Sequence, residues 1–155
     1  MQYGRRGCDV LERQGNWALL STYAPTLGRS LCALGRYEEA EPLAQRGREL
    51  GHEDDLVTQA LWREVEARVV ARRGEHADAE RLAQEAVAIT ERMDGLNFQG
   101  DAYRDLADVF AAAGRTDEAT EALEQALDRY ERKKNLAMVA QVQPKLEALR
   151  QRTPT

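Results

Sequence analysis

One short pattern that begins with glycine recurs along the chain. Its copies start at Gly35, Gly74 and Gly114, so the two intervals between them are nearly equal. A partial copy around Gly7 precedes Gly47 by the same interval. Glycine at a fixed period between two helix-like halves is typical of helical-repeat proteins, whose units bury their apolar faces by stacking on their neighbours. We therefore expect an all-α solenoid of helical hairpins that serves as an interaction scaffold.

The composition fits a folded, helix-rich chain. The 155 residues are 43% hydrophobic and 32% charged, and charges of both signs alternate to leave a net charge of −5. A nucleic-acid partner would require a basic face, and a membrane anchor would require a polybasic cluster or an apolar run of about 20 residues. The sequence predicts neither kind of partner. We also expect no signal peptide, because residues 1–6 lead directly into a repeat unit.

Two cysteines, Cys8 and Cys32, are present, and neither belongs to a CxxC motif. Two such residues do not form the disulfide framework that is typical of small secreted domains. The cysteine content therefore predicts a reducing, cytoplasmic setting.

The apolar periodicity predicts a single domain over residues 1–150 with about eight helices. Its expected segments are an orphan second helix of a truncated repeat at 2–15, three full repeats at 17–50, 56–93 and 97–132, a capping helix with a polar outer face at 136–150, and a disordered tail at 151–155. The chain is thus expected to begin within a unit. Its first apolar end would then be covered by an upstream domain or by a second copy.

The third repeat resembles the tetratricopeptide repeat family in its order of aromatic residue, leucine, small residue, glycine and alanine, carried by Tyr103, Leu106, Ala107, Phe110, Gly114, Ala119, Leu123 and Ala126. The second repeat departs from the pattern, because Arg63 and Glu66 stand where the family prefers large apolar residues. The resemblance covers residues 2–150 and implies a right-handed superhelix. It also implies a protein or peptide as the partner.

A narrower resemblance concerns the C-terminal repeats of large bacterial signalling proteins, which join a nucleotide cyclase or an AAA-type ATPase to a helical-repeat arm. It is carried by residues 57–63, 71–75, 79–87 and 101–107. This resemblance implies that the chain is the regulatory C-terminal arm of a larger protein. The chain contains nothing of a cyclase or an ATPase.

No arrangement of residues indicates catalysis or cofactor binding. The phosphate-binding pattern GxxxxGK[ST] is absent from the sequence. The two histidines, His52 and His76, are far apart in the sequence and each lies beside an expected helix start, so we interpret them as solvated residues. No serine or threonine has a histidine base and an acidic orienting residue at a recognisable spacing. We therefore expect no enzymatic activity, no cofactor and no metal.

In the family that the chain resembles, the first helix of each repeat lines a concave groove. By register, the candidate partner-binding residues on that face are Arg29, Leu61, Glu64, Arg68, Arg72, Asp101, Arg104 and Asp108. The arginines could bind the carboxylates of an extended peptide through bidentate pairs. The alternative is that they pair with Glu64, Asp101 and Asp108 across adjacent repeats.

Two other functions stay open at the level of the sequence. The apolar residues Cys8, Val10 and Leu11 of the first helix could form a self-association end, which would make the chain a homodimerisation module. The chain could also be a sensor for a small ligand or a peptide, which would require a closed apolar pocket.

Overall fold

Eight α-helices and no strands make up residues 2–152, the part of the chain that the computed structural model describes. In chain order the helices are α1 (Gln2–Arg13), α2 (Trp17–Ala33), α3 (Tyr37–Leu50), α4 (Leu56–Arg72), α5 (His76–Glu91), α6 (Leu96–Ala112), α7 (Thr116–Lys133) and α8 (Leu136–Arg152).

The helices pack in the order in which they follow one another. Three hairpins are formed by α2 with α3, α4 with α5, and α6 with α7. The second helix of each hairpin packs on the next first helix, and the first helices form a row in which α2 contacts α4 and α4 contacts α6. Helix α1 packs on α2, over a smaller contact than the later second helices make with their successors. The predicted all-α solenoid of helical hairpins is therefore confirmed.

Glycine ends the first helix of each hairpin. Gly35, Gly74 and Gly114 have φ angles of 73°, 83° and 76°, in the left-handed region that residues with a side chain rarely adopt. The amide of Arg36 bonds back to the carbonyl of Leu31 at 2.8 Å, which closes the helix end. These three glycines therefore set the period of the fold.

Small residues allow the two helices of a hairpin to approach closely. A Cβ added to Gly28 would lie 3.4 Å from the carbonyl oxygen of Ala40 and 3.2 Å from a methyl carbon of Val65. The alanines equivalent to Ala40 in the later hairpins, Ala79 and Ala119, are fully buried. The core thus runs along the centre of the stack as one continuous cluster.

The ends of some helices differ from expectation by a few residues. Helix α1 stops at Arg13, because Gly15 adopts a φ of 66°. Helix α8 continues to Arg152, so Gln151 and Arg152 are helical rather than part of a disordered tail. Both residue types are good helix formers, which explains the extension. The rest of the expected tail, residues 153–155, lies outside the described residues.

Candidate functional site

The eight candidate groove residues differ widely in exposure. Leu61 and Glu64 are buried, and Arg72 is exposed. The remaining five are half-buried: Arg29, Arg68, Asp101, Arg104 and Asp108. Leu61 belongs to the buried core, and the other seven residues fall into three adjoining environments, two of which share Arg68.

The first environment is an ionic cluster, formed by Arg29, Glu64, Arg68, Arg104 and Asp105. The Arg29 guanidinium Nη1 donates a 2.8 Å hydrogen bond to Asp105 Oδ2 and also donates to the Glu64 carboxylate. These three side chains are 13%, 1% and 3% exposed, and they come from α2, α6 and α4. The pairing of Arg29 with Glu64 across adjacent repeats matches the alternative that the sequence left open.

Asp105 occupies the centre of this cluster. Its Oδ1 atom is buried and has no hydrogen-bond partner among residues 2–152. Arg68 Nη1 lies 3.8 Å from that oxygen, and Arg104 Nε lies 3.9 Å from it. Burial alone would lower the pKa of Arg29, but the carboxylates of Asp105 and Asp101 raise it above its usual range. Arg29 therefore keeps its charge although it is largely removed from water.

Asp105 was not among the site residues predicted from the sequence. Its counterparts in the earlier repeats are Thr26 and Val65, so the charge does not recur with the period. One signal was nevertheless present. Asp105 falls in the apolar stripe of α6, between Ala102 and Val109 at i, i+3 and i+7. An acidic side chain on the buried face of a helix requires a positively charged partner that is buried with it.

The second environment involves Asp101 and the second helix of its own hairpin. The hydroxyl of Tyr130, a fully buried residue of α7, donates a hydrogen bond to Asp101. Burial, and then the Asp101 carboxylate, raise the pKa of Tyr130 above its usual range. Asp101 therefore ties α6 to α7.

The third environment is a groove of about 520 Å³, which we call the α4–α6 groove. Its lining residues come from four helices and the α4–α5 turn: Tyr37, Arg68, Ala71, Arg72, Gly74, His76, Asp108, Val109 and Ala112. The Arg72 guanidinium lies 5.7 Å from the centre of the Tyr37 ring, a cation–π arrangement. Among residues 2–152, Arg72 takes part in no ion pair. Its guanidinium donors are thus available to a ligand.

Asp108 is the acidic side chain that lines the α4–α6 groove. Burial, and then repulsion by the Asp105 carboxylate, raise the pKa of Asp108 more than Lys145, Arg68 and Arg104 lower it. Two arginines, Arg68 and Arg72, line the groove together with this one acid. The groove can bind a carboxylate through charge-assisted hydrogen bonds.

A second groove, which we call the N-terminal groove, lies between α1 and α2. Its volume is about 420 Å³, and its lining is Arg6, Gly7, Val10, Leu11, Leu19 and Tyr23. Val10, Leu19 and Tyr23 are 48%, 57% and 40% exposed. The structure thus places Val10 and Leu11 of the predicted self-association end in this groove.

Cys8, the third predicted residue of that end, is half-buried and does not line the N-terminal groove. Burial, and then the neighbouring Asp9, raise the pKa of its thiol. Leu19 and Tyr23 also line the groove and were not predicted, because the expected self-association end was drawn from the first helix alone.

Within residues 2–152, no three His, Cys, Asp or Glu side chains converge closely enough to hold a metal ion. None of the helices in the same range is both long enough and apolar enough to cross a bilayer.

The hairpin stack can be compared with known proteins. The family model described as tetratricopeptide repeat matches residues 18–92 and again residues 57–132. Proteins of this family generally mediate protein–protein interactions and are typically non-catalytic scaffolds. No curated protein matches the chain significantly. Since the two matches together cover most of the sequence and coincide with the observed hairpins, the chain belongs to the tetratricopeptide repeat family.

Proposed function

We propose that the chain is a non-catalytic module that binds a peptide or a helix of a partner protein along its row of first helices. The observation that carries this proposal is the α4–α6 groove, in which the two arginines Arg68 and Arg72 line the same space as a single acid, Asp108. Arg72 gives the contact its charge and its geometry, because a guanidinium binds a carboxylate in a bidentate manner. The partner segment is therefore acidic where it crosses α4 and α6.

The test uses Arg72, because its side chain can be changed without disturbing the ionic cluster. Arg68 and Arg104 are poorer choices, since each lies within 4 Å of the buried Asp105 Oδ1. Peptides are selected from a random displayed library against the wild-type chain, and their affinities are then measured by fluorescence anisotropy. We expect Arg72→Glu to weaken the selected peptides at least about tenfold, since a hydrogen bond to a charged group contributes about 1.5–3 kcal/mol.

Arg92→Glu is the matched control. Arg92 is an exposed arginine at the other end of α5, away from the α4–α6 groove, and it forms no ion pair among the described residues. Peptides that bind Arg72→Glu and Arg92→Glu equally well would overturn the assignment of the groove. A selection that yields no peptide with a preference for acidic residues would overturn the partner chemistry.

A second candidate function is self-association. The observation that favours it is the N-terminal groove, where Val10, Leu19 and Tyr23 expose apolar surface on adjoining helices. Light scattering over a dilution series tests this candidate, with Val10→Asp as the disrupting variant. A mass of one chain at every concentration would exclude it.

We further propose, on the narrower resemblance alone, that the chain acts as the C-terminal regulatory arm of a larger bacterial ATPase or cyclase protein in the cytoplasm. The free thiols of Cys8 and Cys32 are compatible with that compartment. An antibody against the chain, used on lysate of the source cells, tests the proposal. A band near 17.4 kDa would contradict it.

A further inference from the structure

The N-terminal groove has an internal counterpart further along the chain. Gly47 lies one repeat period after Gly7, and Thr58 lies one repeat period after Leu19. In both places, the glycine belongs to a second helix and the other residue belongs to the first helix that follows it. The two pairs differ in their surroundings, because Gly47 and Thr58 are buried whereas Leu19 is exposed.

Helix α2 covers the internal counterpart. A Cβ added to Gly47 would lie 2.8 Å from Pro25 Cγ and 3.1 Å from the carbonyl oxygen of Ser21. The hydroxyls of Thr22 and Thr58 are 2.6 Å apart. Ser21, Thr22 and Pro25 of α2, at positions i, i+1 and i+4, therefore cover Gly47 and Thr58. At the N-terminal groove, no preceding first helix among residues 2–152 fills this position, and the Tyr23 side chain of α2 lies over Gly7 instead.

Helix α8 presents the same three positions to solvent. In the repeat register, α8 is equivalent to α2, three repeats later. The residues of α8 that correspond to Ser21, Thr22 and Pro25 are Ala140, Gln141 and Pro144. All three are exposed, and α8 carries its internal proline at the same repeat position as α2. The face that α2 uses to pack on a second helix is thus exposed on α8.

The two free surfaces are compatible in charge. Along one face of α8, successive positions i, i+3, i+4, i+7 and i+11 are uncharged, namely Ala137, Ala140, Gln141, Pro144 and Ala148. The N-terminal groove contains one charged side chain, that of Arg6, which forms no ion pair among residues 2–152. Contact between these surfaces opposes no like charges.

We propose that α8 of one copy of this chain lies in the N-terminal groove of a second copy, where it packs on Tyr23 and Leu19 at the place where α2 packs on Gly47 and Thr58. The inference rests on self-association, the second candidate function, and names the surfaces that carry it. The contact continues the row of first helices from one molecule into the next. It is a head-to-tail contact, so a dimer retains one free surface of each kind and can extend further.

The experiment uses two variants, each of which blocks one surface. Leu19→Glu blocks the N-terminal groove and Ala140→Glu blocks α8. Both residues are exposed and glutamate is a good helix former, so the fold is retained and circular dichroism verifies it. In sedimentation velocity, we expect the wild type to exceed the mass of one 17.4 kDa chain as its concentration rises. Each variant alone should remain a single chain, whereas an equimolar mixture should form a species of two chains.

Leu34→Glu and Ala88→Glu are the matched controls, since both replace an exposed residue of the same type outside the two surfaces. They should associate like the wild type. If Ala140→Glu associates normally while Leu19→Glu does not, N-terminal grooves pair with each other and the head-to-tail arrangement is wrong, although self-association stands. Association that survives both variants also overturns the arrangement. A wild type that is always a single chain overturns self-association itself.

Discussion

Arg29 in α2 donates a 2.8 Å hydrogen bond to Asp105 in α6, although the whole second hairpin lies between them in the sequence. The contact is feasible because α2 and α6 both pack on α4, which contributes Glu64 to the same guanidinium. Charges that are this well buried require partners, since an isolated ion loses its hydration without compensation. The candidate groove residues therefore include some that hold the stack together.

Removal of Asp105 should be strongly destabilising. Asp105→Ala leaves the Arg29 guanidinium buried with one of its two acceptors missing, and the loss of one partner from a buried pair costs about 3–5 kcal/mol. The free energy of unfolding in urea measures the effect. Asp94→Ala, at an exposed residue between α5 and α6, should stay within about 0.5 kcal/mol of the wild type. Equal effects of the two substitutions would show that Arg29 is hydrated when Asp105 is absent.

Asp108 should make stability depend on pH. Its pKa is raised in the folded chain, so the folded state binds more protons than the unfolded state, and stability falls as the pH rises through the folded pKa. Asp108→Asn removes this loss. We expect the variant to be more stable than the wild type at neutral pH, with the difference disappearing as the pH falls below 3.8, the ordinary pKa of the group. Urea midpoints of both proteins across this range provide the measurement. If the difference in stability between variant and wild type grew at low pH, the expected direction of the pKa shift would be wrong.

The hydroxyl of Tyr130 should contribute to stability through Asp101. Tyr130→Phe removes the donor and leaves a carboxylate oxygen of Asp101 without its partner, at a cost of about 1–3 kcal/mol. Chemical denaturation of the two proteins measures this cost. Tyr3→Phe is the matched control, because Tyr3 is exposed on α1 and its substitution should have no measurable effect. A neutral Tyr130→Phe would mean that water replaces the hydroxyl.

Two helix-connecting turns should respond to substitution in opposite directions. Gly74→Ala introduces a side chain at a φ of 83° where no atom lies within 4 Å, so its effect is backbone strain of about 1–2 kcal/mol. Lys134, at the turn between α7 and α8, already adopts a φ of 60° with a side chain. Lys134→Gly should therefore raise the melting temperature, whereas Gly74→Ala lowers it. If both substitutions shifted the melting temperature in the same direction, the explanation by backbone strain at positive φ would be wrong.

The fold could be predicted from the sequence because its determinants recur. The glycines at Gly35, Gly74 and Gly114 mark each helix end locally, and the small residues around them show where helices approach. These signals need no knowledge of distant contacts, which is why the predicted and observed helix ends lie close together.

The candidate site was less predictable, because its geometry depends on contacts between hairpins that lie far apart in the sequence. The repeat register predicted that Arg29, Arg68 and Arg104 share one face. It did not predict that Asp105 contacts them, because the equivalent position of the preceding repeat is an apolar residue, Val65. Arg72 was predicted and lines the α4–α6 groove. Tyr37 and His76 also line the groove but were not predicted. They belong to second helices, whereas the prediction considered only the first helix of each repeat.

The bond between Arg29 and Asp105 also bears on how the protein unfolds. In an array whose units touch only their immediate neighbours, stability is a sum over units and interfaces, and the array can unravel one unit at a time from an end. Here a guanidinium of the first hairpin depends on a carboxylate of the third, a coupling between second neighbours. If the third hairpin opens, it leaves an incompletely paired ion in the first. The three hairpins are consequently tied into one cooperative unit, and a chain cut after α5 is not simply a shorter version of the whole.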